Sequence, residues 1–275
     1  MYTLTIRGHD LSGVTDFHDL GQKAAAAGIH NLQLALNMSF PQMSDAPQLN
    51  PGLGRHVTQA LAASNVQVGI LSCYVQMMHP DLAEREKAIA KFETYLQHAR
   101  YFGAAMVASE TGSLSVAGYT EENFTDEAFS QLVAVIKRLV ACGERHNTLV
   151  AIEAGLNHPL YSLDRIEQLL QEVASEHLQI ILDPTNLITA ANYQTQVDLV
   201  AEAFARFGEQ ICAFHLKDFI VADNQIVPVN LGAGVMEYQK ILDLICRYKP
   251  YCYVVLEETK DGFIKDAVNL IEAGL

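Results

Sequence analysis

Eight short apolar runs, each followed by a longer stretch of helical period, recur along this chain. They occupy residues 3–7, 32–36, 66–73, 105–109, 149–153, 179–183, 211–215 and 252–257. The runs are nearly continuous in apolar residues rather than alternating, as strands covered on both faces are. Such strands interleaved with helices build a parallel sheet, and eight of them close into a barrel more naturally than they form an open sheet. The 275 residues match the roughly 250 that such a barrel needs. The expectation is an α/β fold, a single (β/α)8 TIM barrel over residues 1–275 as one domain.

Helix punctuation agrees. Asp16 opens a helix closed by Gly28, Asn50 and Pro51 open the next, and Asp81 opens a long one ending at Gly103. Further helices are expected over 126–146, 162–173, 194–207, 238–248 and 265–273. The longest irregular stretches, 37–50, 110–125 and 219–235, follow the second, fourth and seventh runs. In a barrel these lie at the C-terminal face, where βα loops build sites.

Composition narrows the partners. A formal charge of −14 repels phosphate backbones and anionic lipid, so neither nucleic acid nor membrane is the expected partner; a small molecule is. The N-terminal segment lacks a signal pattern, and no apolar run approaches a membrane span, so a cytoplasmic location is expected. Five cysteines with no CxxC pair read as reduced, mostly buried thiols.

Chemistry shows where polar residues interrupt the apolar runs. The fifth run, LVAIE, stops at Glu153; the sixth, IILD, at Asp183; the seventh, ICAFH, at His215; the eighth, YVVLE, at Glu257. Any one could be a helix cap or half of an ion pair. Three carboxylates crowded into one barrel mouth, however, repel unless protonated or neutralised by a cation. One divalent metal ion resolves the conflict, and carboxylates with one imidazole suit Mn, Mg, Zn or Co.

The series EAG at Glu153, DPTN at Asp183, HLKD at His215 and LEE at Glu257 resembles the xylose isomerase-like barrel superfamily, which includes sugar isomerases and epimerases and abasic-site endonucleases. The resemblance covers essentially the whole chain. It implies one bound metal, Mn in the ketohexose 3-epimerase branch, with Glu153 and Glu257 also transferring protons. That division is chemically sensible: a metal on adjacent carbonyl and hydroxyl oxygens stabilises an enediolate, while each glutamate can reach a substrate carbon. Two departures matter. Asn186 stands where the epimerases commonly carry a His, and Asn186 with Glu110 replaces histidines that a three-zinc nuclease needs.

Other residues read both ways. Glu110, at the end of the fourth run, is a substrate contact or half of an ion pair; His79 is a ligand or a loop-packing residue. Lys217 and Asp218 orient the substrate or the ligand His, or form a surface pair. Arg7 meets an anionic substrate group or neutralises the acidic mouth. Glu258 should alternate outward from Glu257 toward the helix layer. In NLGAGVMEY, Gly232 and Gly234 predict a tight turn, with phosphate binding a minority reading. The function expected is metal-dependent isomerisation or epimerisation of a small sugar, sugar phosphate or keto-polyol, in a possible homo-oligomer. The alternatives are a lyase on a keto-cyclitol or dehydroshikimate-like substrate, a non-catalytic sugar-binding barrel, and an abasic-site nuclease.

Overall fold

The computed structural model describes residues 1–274. Barrel strands are β1 (Thr3–Arg7), β2 (Asn31–Ala35), β3 (Gln67–Ser72), β4 (Met106–Glu110), β5 (Leu149–Glu153), β6 (Leu178–Leu182), β7 (Ile211–Leu216) and β10 (Tyr253–Leu256). A further pair, β8 (Phe219–Ala222) and β9 (Gln225–Pro228), forms an antiparallel hairpin. The eight strands close in the order β1-β10-β7-β6-β5-β4-β3-β2. This is the closed (β/α)8 barrel that the periodicity predicts.

The helices are α1 (Phe17–Ala26), α2 (Leu36–Ser39), α3 (Pro51–Ala62), α4 (Leu82–His98), α5 (Asp126–His146), α6 (Leu163–Val173), α7 (Gln196–Phe207), α8 (Tyr238–Tyr248) and α9 (Ile264–Ala273). Their starts obey capping chemistry: Asp16, Asp81, Thr125 and Ser162 each accept a backbone N–H from the first turn with their side chains. Asn50 does the same for Gly52 and Leu53 just ahead of Pro51. Gly103, at φ 77°, ends the turn that follows α4.

By packing, the described residues divide into two compact units, one of residues 1–34, 57–69 and 182–274, the other of 35–56 and 70–181. Inside the first, Ile6, Leu20, Leu32, Phe214 and Phe219 are fully buried. Inside the second, Phe92, Tyr95, Phe102 and Phe129 play that part, and the Tyr95 hydroxyl reaches the Ser44 carbonyl at 2.9 Å.

Three expectations need correction. The second run ends at Ala35, and Leu36 begins the short helix α2. The stretch 219–235 is not wholly irregular, because it contains the β8–β9 hairpin. That hairpin turns on Asp223 and Asn224, both left-handed at φ 49° and 59°, a two-residue turn whose twist matches antiparallel strands. Glu258 does not continue the alternation of β10. Its φ of 57° takes the chain out of the strand, and its carboxylate meets Arg7 at 3.1 Å.

No helix among the described residues is long and apolar enough to cross a membrane. All five cysteines are free thiols, with Cys73, Cys142 and Cys252 buried.

Candidate active site

Glu153 is the last residue of β5, Asp183 follows β6, His215 lies in β7, and Glu257 follows β10. Each therefore stands at the C-terminal end of its strand, and all four are buried. One ligand atom from each lies within 4.8 Å of every other. Apolar strand interiors force this arrangement, because only the strand ends can carry charge into the mouth without burying it in the barrel core.

Asp183, His215 and Glu257 each have one atom anchored and another turned toward the group. Asp183 Oδ1 accepts the backbone N–H groups of Thr185 (2.8 Å) and Asn186 (3.2 Å), while Oδ2 lies 2.5 Å from Lys217 Nζ. Glu257 Oε1 receives Arg7 Nη1 at 2.8 Å and Lys217 Nζ at 3.3 Å, and its Oε2 turns to His215 Nδ1 at 2.5 Å. His215 Nε2 stands 3.0 Å from the side-chain amide oxygen Oε1 of Gln33, a buried residue of β2. That oxygen can only accept, so Nε2 carries the proton and Nδ1 presents a lone pair.

A lone pair and a carboxylate oxygen at 2.5 Å repel unless a positive charge is shared between them. The contact also lacks the alignment of an ordinary hydrogen bond. A divalent ion satisfies both atoms at once, together with the inward oxygens of Asp183 and Glu153, so the donor set fits such an ion. The group could hold one metal.

The cations of the site are consumed by it. Arg7 grips Asp10 through two 2.8 Å hydrogen bonds while holding Glu257, so it neutralises the acidic mouth. Burial works against its charge, yet Asp10 and Glu257 push its affinity for the proton further up. For Glu257, burial favours the neutral acid, but its contact with His215 and the charges of Lys217 and Arg7 prevail and hold its carboxyl well below the usual range.

Lys217 and Asp218 are not a surface pair; both are buried. Lys217 reaches Asp183, Glu257 and, at 2.8 Å, Asn186 Oδ1. Asn186 thus positions the lysine in place of imidazole chemistry. Asp218 accepts four backbone N–H groups: Phe219 (2.8 Å) and Met236 (3.0 Å) on Oδ1, Gly232 (2.8 Å) and Gly234 (2.9 Å) on Oδ2. The glycine turn is therefore real, but the amides that could have cradled a phosphate hold the chain's own carboxylate. A Cβ on Gly234 would fall 2.3 Å from Asp218 Oδ1.

Two sequence candidates are not members of the quartet. His79 Nδ1 accepts the Asp81 backbone N–H at 3.1 Å just before α4, the loop-packing role. Glu110, half-buried at the end of β4, is in register with Glu153 and lines a separate small cavity. Two residues escaped the sequence reading. Gln33 left a signal, a polar residue inside the apolar run NLQLA. His158 follows Glu153 in EAGLNHP, and burial lowers its pKa against the pull of Glu153.

Gln33→Leu is expected to release the His215 tautomer and lower metal affinity about 10–100-fold, the usual cost of losing such a partner. Competition against a chelator, with unchanged far-UV dichroism, measures it. Equal affinity in the variant would refute the role.

Comparison with known proteins agrees with this architecture. No match is found among curated proteins. Solved structures that superpose on the chain include a probable 3-DHS dehydratase, AsbF, from Bacillus anthracis (20% identity, TM-score 0.76, 99% of each chain). D-psicose 3-epimerase from Clostridium cellulolyticum H10 superposes at 11% identity and TM-score 0.75, again over 99% of each. A xylose isomerase-like TIM barrel protein from Mycobacterium smegmatis in complex with magnesium does so at 13% and 0.72, over 100% of this chain and 96% of that one. At these identities the likeness is one of fold. A family model described as xylose isomerase-like TIM barrel matches residues 21–274, and the chain belongs to that family.

Proposed function

We propose that this chain is a metal-dependent isomerase or epimerase of a small sugar or related keto-polyol, working by proton transfer through Glu153 and Glu257. The observation that carries the reading is the buried quartet itself: two glutamates, an aspartate and an imidazole, with ligand atoms within 4.8 Å of one another. Mn is the metal expected from the resemblance, with Mg, Zn or Co as alternatives.

A divalent ion held by Glu153, Asp183, His215 and Glu257 would supply Lewis acidity toward the carbonyl and hydroxyl oxygens of a substrate. Proton movement falls to the chain. A carboxylate has two oxygens, so either glutamate can serve the ion with one and reach a substrate carbon with the other. One glutamate takes the proton beside the carbonyl while the other, protonated, returns one, and the roles exchange with reaction direction. Return from the opposite face gives epimerisation; return to the neighbouring carbon gives aldose–ketose isomerisation. Lys217, held by Asp183, Glu257 and Asn186, keeps an ammonium beside the developing negative charge.

The same lysine favours one second reading, a dehydratase, because an ammonium at the site can protonate a departing hydroxyl. Structural likeness to a probable dehydratase is compatible with it.

The test is solvent deuterium incorporation next to the carbonyl of ketoses and inosose-like compounds, with metal supplied. Incorporation without mass loss is the expected result. A product lighter by one water would establish the lyase instead, and no exchange across the panel would overturn both.

A further inference from the structure

Glu153 is the last residue of β5, and the loop that follows it, AGLNHPLYS, runs at the C-terminal face to the start of α6. The loop folds back on itself. The Gly155 carbonyl accepts the His158 backbone N–H at 2.9 Å, and the Gly155 N–H donates to the Leu160 carbonyl at 3.0 Å. These two bonds return His158 toward the strand end, where its ring lies over Gly155. A Cβ on that glycine would stand 3.4 Å from Nδ1 and 3.6 Å from Cε1.

The imidazole is held in place from both sides. Asn157, just before it, gives its carbonyl to Asn123 Nδ2 at 2.6 Å. Asn123 is fully buried, donates also to Ser113 Oγ (2.8 Å) and accepts the Leu114 N–H (2.9 Å). Pro159, just after it, has its φ locked by its ring. Tyr161 packs edge-to-face on Phe124 with centroids 5.1 Å apart, a second tie between this loop and the one that precedes α5. A side chain fixed in this way costs little to order when a ligand arrives.

The ring has two unlike edges. His158 as a residue is half-buried, yet Nδ1 has no contact with solvent and no hydrogen-bond partner among the described residues, whereas Nε2 is not shut away. Burial lowers the ring's affinity for the proton and Glu153 pulls the other way, so the imidazole is held toward its neutral form, with a single N–H. Orphaned N–H groups are rarer in protein interiors than under-used acceptors. The proton therefore belongs on Nε2, and Nδ1 keeps its lone pair against the glycine. The open edge is an uncharged donor on the loop that leaves Glu153, and an uncharged oxygen is the acceptor that fits it.

We infer that His158 Nε2–H donates a hydrogen bond to a substrate oxygen, a hydroxyl or carbonyl next to the carbon that Glu153 deprotonates. This rests on the proposed proton-transfer reading for the reaction, but the contact itself is tested by binding.

The experiment uses the full chain loaded with Mn, with four- to six-carbon ketoses and inosose-like compounds as probes. His158→Gln places an amide N–H near the position of Nε2, His158→Asn reaches only as far as Nδ1, and His158→Leu carries no polar atom. Calorimetry gives Kd, deuterium incorporation gives turnover, and thermal melting reports the fold. The Leu and Asn variants are expected to bind the probes about three- to tenfold more weakly, the worth of one neutral hydrogen bond, and the Gln variant to recover most of that loss. Metal per chain and melting temperature should stay at native values in the Gln and Leu variants, because a buried nitrogen without a partner takes no bond with it when replaced. An unchanged Kd in His158→Leu, with or without a lower melting temperature, would overturn the contact; if exchange persists, the proton-transfer reading stands. Weakening that Gln does not recover would overturn the donor role. Weakening that Gln recovers, with no exchange in any probe, would uphold the contact and sink that reading. No binding of any probe by the native protein would overturn both.

Discussion

Glu153→Gln is expected to abolish most deuterium exchange, a fall of roughly 10²–10⁴-fold, while the protein still folds and still takes up metal. The amide keeps a ligating oxygen in nearly the same place but has no proton to accept or return. Glu257→Gln should do the same to the rate and cost stability as well. Glu257 faces Arg7, Lys217 and His215 inside a buried site, so losing its charge leaves those groups uncompensated. The pair of variants separates the two functions of each carboxylate. Metal per chain by elemental analysis measures holding, and isotope incorporation measures transfer. Exchange at the native rate in Glu153→Gln would remove that residue from the proton path.

The second large effect is expected outside the quartet. Asp218→Ala should destabilise the protein by about 3–5 kcal/mol, because four backbone N–H groups lose one charged acceptor at once. Asp218→Asn should recover little. One side of an amide still accepts from Phe219 and Met236, but the other turns N–H groups against those of Gly232 and Gly234. Urea denaturation of the three proteins checks the order: native, then Asn, then Ala. A loss below 1 kcal/mol in Asp218→Ala would mean that water replaces the carboxylate and that the turn is not built on it.

Much of this molecule is legible in its sequence. The barrel is, because buried parallel strands must be continuously apolar and their polar ends must therefore mark the mouth. The quartet followed from the same rule at Glu153, Asp183, His215 and Glu257. What escaped depends on contacts between residues far apart in the chain. Gln33 bonds to His215 across 182 positions, and no local pattern announces which strand interior will hold a partner. Of the two readings open for Lys217, the surface pair fails: lysine is seldom buried, and the carboxylates gathered around it make burial tolerable. The hairpin was hidden for another reason. FIVADNQIVP has strand residues flanking a two-residue turn, but it is a short antiparallel insertion in a chain whose repeating unit is β then α. Glu258 failed the alternation rule because a single left-handed residue resets it.

The barrel is sealed by its first and last strands, β1 lying against β10 from Thr3–Tyr253 to Ile6–Leu256. Glu257, directly beyond β10, carries one of the ligand oxygens, and β10 also flanks the strand that bears His215. During synthesis the fourth ligand therefore emerges after the other three, and until it docks the centre offers at most three of its donors. A full set of donors therefore waits for β10: a product stopped before that strand could form much of its sheet and still lack the group that closes the quartet.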